Sequence, residues 1–152
     1  EGLEVPAFTP ATYEKLAEFF VVIGGSYRNP LDAGYTVSMG FSRSNIQRLL
    51  ALLGEDENVD ALVFEVGTSF LARRLQESPG LLDSLAEVLV GFKERSPKPL
   101  VTVVHPSHLE EVAILIRNGL TARGLPVFAT FQQAARALRR VIDYWRFREG
   151  LE

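Results

Sequence analysis

The chain contains no cysteine, so a disulfide framework, a thiol nucleophile and thiolate metal coordination are all excluded, in keeping with a reducing compartment. No apolar run approaches the ~20 residues that a helix needs to cross a bilayer, and the opening Glu1-Gly2-Leu3-Glu4 lacks the basic start of a signal peptide. The expectation is a cytoplasmic protein with no membrane partner. A surplus of positive charge is also missing. The formal net charge is -3, which supplies no broad field to hold a phosphate backbone, and nucleic acid is not an expected partner. No nucleophile elbow of the Gly-x-Ser-x-Gly kind, Walker loop or dinucleotide glycine fingerprint occurs. What remains is ordinary globular composition, with 47% apolar and 23% charged residues in 152, enough for one domain with a proper core.

Along the chain, periodicity falls into two regions. Residues 1–40 read as a helix followed by a loop with a short strand in it. Thr9 can cap the helix, Pro10 suits its first position, and Tyr13, Leu16, Phe19 and Phe20 share a face. Pro30 then pushes Asn29 toward extended backbone. Residues 41–152 alternate helical and strand periods. Ile46, Leu49, Leu50 and Leu53 make one helical stripe that Gly54 is expected to stop. Asp60 to Val66 is a short apolar run suited to a parallel strand buried on both faces. Ser78 and Pro79 are expected to open the next helix, which carries Leu82, Leu85, Leu89 and Phe92 on one stripe.

The rhythm then repeats. Pro99 to Val104 reads as a second buried strand. Ser107 with Glu110 forms a capping-box pattern ahead of Val112, Ile116 and Leu120, and Gly124 closes that helix. Pro126 to Ala129 is a last short strand. Thr130 with Gln133 makes a second capping-box pattern before a helix lined by Ala134, Leu138, Ile142 and Trp145. Three strand-helix alternations imply an α/β fold, flavodoxin-like in outline, with a parallel sheet and helices on both faces. Ligands in such sheets gather beyond the carboxyl ends of the strands. The loops to inspect are therefore 33–40, 67–78, 105–108 and 129–130.

The order and spacing of several strings carry a resemblance. Gly2-Leu3-Glu4-Val5-Pro6, Asn29-Pro30-Leu31-Asp32, Asn58-Val59-Asp60-Ala61-Leu62-Val63, Lys98-Pro99-Leu100-Val101 and Gly124-Leu125-Pro126-Val127-Phe128, followed by an Ala-rich helix, together resemble the last flavodoxin-like domain of the α-type subunit of NDP-forming acyl-CoA synthetases. The chain is also similar, more distantly, to the carboxyl-terminal domain of the succinyl-CoA synthetase β subunit. The resemblance spans nearly all of the chain, with two departures. The family's domain opens with an earlier strand and a Gly-rich turn, so the first strand is expected to be lacking here. The family's phosphorylated histidine stands in a Ser-His-Thr-Gly context that this chain does not contain.

The resemblance implies part of an enzyme that converts acyl-CoA, NDP and phosphate to a carboxylate, NTP and CoA through a phosphohistidine in another domain. CoA, ATP or ADP and Mg would be bound by CoA-binding and ATP-grasp domains or subunits, none of them by this chain alone, and the isolated chain would be inactive. It gives Gly67, Thr68 and Ser69 a phosphate-binding role at a strand-to-helix turn, with Arg73 and Arg74 as charge partners and Asn29 and Asp32 as loop-orienting residues. The residue types leave alternatives open. Gly-Thr-Ser after a strand also reads as a plain capped turn, Arg73 and Arg74 as a solvated face, and Asn29 and Asp32 as an Asx turn. His105 and His108 could carry protons or hold a metal, but no third ligand stands at useful spacing. Glu65, a carboxylate in the expected central strand, has no identified partner for acid-base work. Arg136, Arg139, Arg140 and Arg146 lie opposite the last apolar stripe, either solvated or a docking face for another domain; separately, the chain could form an oligomer. A non-catalytic interaction module with the same fold is the competing reading.

Overall fold

The computed structural model describes residues 2–38 and 42–150; the boundary expected at residues 40 and 41 lies outside them. Among the described residues, seven helices and three strands follow in the order α1 (Pro10–Ala17), α2 (Gly34–Ser38), α3 (Arg43–Glu55), β1 (Leu62–Glu65), α4 (Thr68–Glu77), α5 (Leu81–Arg95), β2 (Leu100–Val103), α6 (Glu110–Thr121), β3 (Val127–Phe128) and α7 (Phe131–Glu149). The strands form an open parallel sheet in the order β1-β2-β3, so the protein is α/β. No helix among the described residues is long and apolar enough to cross a membrane.

Packing divides the chain into two compact units, Glu1–Glu4 with Val63–Pro79 and Val101–Glu152, and Val5–Leu62 with Gly80–Leu100. The second unit is helical. Thr9 caps α1 by accepting the Thr12 N–H, with Pro10 at the first position, and Ser42 caps α3 through the Asn45 N–H. Of the α3 stripe, Ile46, Leu49 and Leu50 are buried and Leu53 is half-buried, while Leu82, Leu85, Leu89 and Phe92 of α5 are all buried. Gly54 does not stop α3, which runs on to Glu55. It serves close packing instead, because a Cβ at that position would lie 2.8 Å from Phe92 Cε2.

Asp56 ends α3 as a buried carboxylate. It accepts the Thr9 N–H at 2.9 Å, the Thr9 hydroxyl at 3.0 Å and the Asn58 N–H at 2.9 Å. Burial pushes its carboxyl up, but hydrogen bonds from Thr12, Thr9 and Asn58 together outweigh burial and hold it below the ordinary value. One side chain thereby ties the start of α1 to the end of α3.

Several local expectations are corrected in this unit. The strand expected in the 24–34 loop is a single antiparallel bridge between Ser26 and Asp32. The segment expected to continue as loop from Ala33 contains α2. Ser78 does not open α5. Its N–H instead closes α4 by donating to Arg74 O, and Gly80 stands at the α5 start.

The other unit holds the sheet. All four residues of β2 are buried, as expected of a strand with a neighbour on each side. Even its hydroxyl is satisfied, Thr102 Oγ1 donating to Pro126 O at 2.7 Å. Thr102 pairs with Val127 and Val103 with Phe128. β1 is not buried on both faces. It is the sheet's edge, Leu62 buried and Val63 and Glu65 exposed, so Glu65 is not in the central strand.

Gly124, with φ 77°, takes the left-handed conformation just past α6 that ends helices readily in glycine. The Ser107–Glu110 capping box does not form: Ser107 Oγ accepts the Leu109 N–H at 3.0 Å in a local turn, and Glu110 pairs with Arg117. At α7 the box is shifted by one residue. Thr130 accepts the Gln133 N–H, while Gln133 Oε1 accepts from Ala129 rather than from Thr130. The α7 stripe is buried only through Ala134 and Leu138. Ile142 is half-buried and Trp145 is 52% exposed.

Candidate functional site

The carboxyl ends of all three strands open into the unit that carries the sheet, and each is followed there by a helix: α4 after β1, α6 after β2 and α7 after β3. Every α-helix starts with backbone N–H groups that have no intrahelical acceptor and with the positive end of its dipole. These three starts are treated differently. Thr130 caps α7. Glu110 and Glu111 bring two carboxylates into the first turn of α6. α4 has neither a side-chain cap nor an acidic residue in its first turn.

The segment 67–78, expected as a loop, owes its start to this junction. Gly67 is the residue before the first turn, with φ -69° and ψ 104°, angles that any residue adopts, and its carbonyl accepts the Leu71 N–H at 3.0 Å. Lacking a side chain, it adds neither a cap nor bulk over the open amides. Thr68 is buried, with 6% of its surface exposed. Among the described residues its hydroxyl is the buried side-chain polar atom left without a hydrogen-bond partner. Such an orphan costs about 1–3 kcal/mol. Ser69 is exposed at the same turn. Open amides and a positive dipole end can receive the oxygens of an anion, and the unused hydroxyl, closed to solvent, can join them once the turn opens.

The two arginines do not converge on this turn. Arg73 and Arg74 lie more than one helical turn further along α4. Arg73 pairs with Glu77 at 3.4 Å, and the Arg74 guanidinium sits 5.3 Å from the Phe70 ring centroid. Asn29 and Asp32 belong to the other unit. Asn29 Nδ2 donates to Pro6 O at 2.8 Å, and Asp32 Oδ1 accepts the Gly34 N–H at 3.0 Å, the Asx-turn contact. Asn29 also lines an open recess with Tyr13, Tyr27 and Arg28.

Of the two histidines, His105 sits just past β2, half-exposed. Its Nε2 stands 3.7 Å from Glu65 Oε1, and its ring tilts against Phe131 with centroids 5.3 Å apart. His108 is exposed and precedes α6. No group of three or more acidic or histidine side chains suited to a metal occurs among the described residues. The Glu65–His105–Phe131 cluster was missed by sequence reasoning, although its signal was present: all three stand at strand ends, which parallel pairing brings to one edge.

Comparison with known protein families, curated proteins and solved structures finds no match.

Proposed function

We propose that this chain is a flavodoxin-like domain of an NDP-forming acyl-CoA synthetase, and that it presents the start of α4 to the phosphate or phosphohistidine held by a partner domain. The observation that supports it best is the buried, unpartnered Thr68 hydroxyl at the uncapped and acid-free start of α4. In this reading the Thr68 and Ser69 amides and the Thr68 hydroxyl receive phosphoryl oxygens, and the dipole favours their charge. Gly67 keeps the approach clear. CoA, nucleotide and Mg belong to CoA-binding and ATP-grasp partners, and no residue of this chain is assigned to them.

The test is an amide NMR titration of the protein with inorganic phosphate, phosphoimidazole as a phosphohistidine analogue, and chloride as a control. Saturable shifts confined to residues 67–70, larger for phosphoimidazole and weakened about tenfold or more in Thr68→Val, are expected. Shifts elsewhere, or equal shifts with chloride, would refute the phosphate role. The second reading, a non-catalytic interaction module, draws on the uncovered side chains of Tyr144, Trp145 and Phe147 on α7. It predicts no phosphate response at all.

A further inference from the structure

Parallel pairing uses every second residue of a strand. The Leu62 N–H donates to Pro99 O at 2.9 Å and the Val66 N–H to Val103 O at 2.8 Å. Positions 62, 64 and 66 thus turn their backbone groups toward β2, and Ala61, Val63 and Glu65 turn theirs the other way. Among the described residues, the N–H groups of these three find no protein acceptor. Edge strands are ordinarily blunted by proline, charged side chains, a bulge or shortness, and of these β1 has only its length of four residues and the charge of Glu65 at its end. β1 reads Leu-Val-Phe-Glu, without proline, lysine or a bulge. Val63, at its outward midpoint, is 39% exposed.

We infer that this edge is an interface between two copies of the chain, β1 of one adding antiparallel to β1 of the other about a twofold axis at Val63. Such pairing is self-complementary. Val63 faces Val63 of the second copy, and Ala61 faces Glu65, so no like charges stand directly opposite each other. Three residue pairs would give about six inter-chain backbone bonds, and the two three-stranded sheets would become one. A twofold contact of this kind closes on itself and does not propagate.

Charge argues against α7 as the contact between copies. Its Arg136, Arg139, Arg140, Arg146 and Arg148 outnumber Asp143 and Glu149, so two such faces repel. The small net charge of -3 leaves the β1 edges free to approach. This inference does not depend on the phosphate reading.

Sedimentation velocity over a concentration series tests it, with circular dichroism confirming that each variant is folded. The wild-type protein is expected to dimerise, Val63→Lys and Val63→Glu each to be monomeric, and an equimolar mixture of the two to recover the dimer mass. Val63→Pro, whose lost N–H points away from β2, provides a second variant should the charged ones misfold, and, where circular dichroism shows it folded, it too is expected to be monomeric. Trp145→Asp is expected to stay dimeric. A wild-type protein that is monomeric up to ~1 mM, a dimer that survives every folded Val63 variant, or a dimer lost in Trp145→Asp would overturn the inference.

Discussion

Replacing Asp56 tests how far one buried carboxylate fixes the helical unit. Asp56→Ala leaves the backbone donors of Thr9 and Asn58 without their acceptor. At ~1.5–3 kcal/mol for each of these two hydrogen bonds to a charged acceptor, discounted because both are only part-buried, the expected loss is about 2–5 kcal/mol. Asp56→Asn keeps one acceptor oxygen and removes the charge, so it should cost less, about 1–2 kcal/mol. The acid dependence has a definite sign. Because the folded carboxyl titrates below its ordinary 3.8, its contribution is full above about pH 5 and disappears as pH falls through 3.8 toward the lower folded value.

Urea unfolding followed by far-UV circular dichroism at several pH values measures both effects. Native-state hydrogen exchange at the amides of α1 and α3 localises them. The wild-type protein and Asp56→Asn should converge in stability at the acid end. A loss below ~1 kcal/mol in Asp56→Ala, or an acid slope unchanged in Asp56→Asn, would refute the reasoning.

Two threonines should respond oppositely to the same substitution. Thr68→Val removes an unpartnered buried hydroxyl and should stabilise the free protein by about 1 kcal/mol, whereas Thr102→Val breaks the bond to Pro126 O and should destabilise by about 1 kcal/mol; chemical denaturation of both compares them directly. Gly54→Ala gains about 1 kcal/mol of helix propensity but drives a methyl to within 2.8 Å of the buried Phe92 ring, an overpacking cost of ~1–3 kcal/mol, so its midpoint should fall or at best hold.

The legible parts of the fold were those decided locally. Thr9-Pro10 and Thr130 announce their helices because a hydroxyl reaches an N–H only three residues away. The burial of β2 was legible as a continuous apolar run. Position in the sheet was not, since Leu62–Glu65 and Leu100–Val103 are both apolar and only strand order separates an edge from a centre. α4 was hidden because it buries just Thr68 and Leu71, too few for a stripe. Gly54 was misread because chain position suggests a stop, while its cause lies on another helix. Asp56 gave no signal at all, its partner Thr9 standing 47 residues away. At the candidate site the Gly-Thr-Ser turn was readable, but whether its hydroxyl would be capped, bonded or left open depended on packing.

That openness also sets how strongly the turn can hold phosphate. A helix start contributes about 0.3–1 kcal/mol, and ~2 in a favourable half-buried setting. One hydroxyl hydrogen bond to a charged group adds about 1.5–3 kcal/mol. With Arg73 and Arg74 engaged by Glu77 and Phe70, no side-chain cation joins the sum. The gross total of about 2–5 kcal/mol, less the cost of immobilising the ion, falls at or below the ~4 kcal/mol of a millimolar complex, so free phosphate should bind in the millimolar range or more weakly. Arg73→Ala should leave that affinity unchanged, whereas Thr68→Val should weaken it by about tenfold or more. Phosphate held tightly in the micromolar range, or released by Arg73→Ala, would mean that the arginines and not the α4 start carry the binding. Weak binding is what this arrangement requires, because a site built from amides and one hydroxyl gains strength only when a partner brings the phosphoryl group already in place.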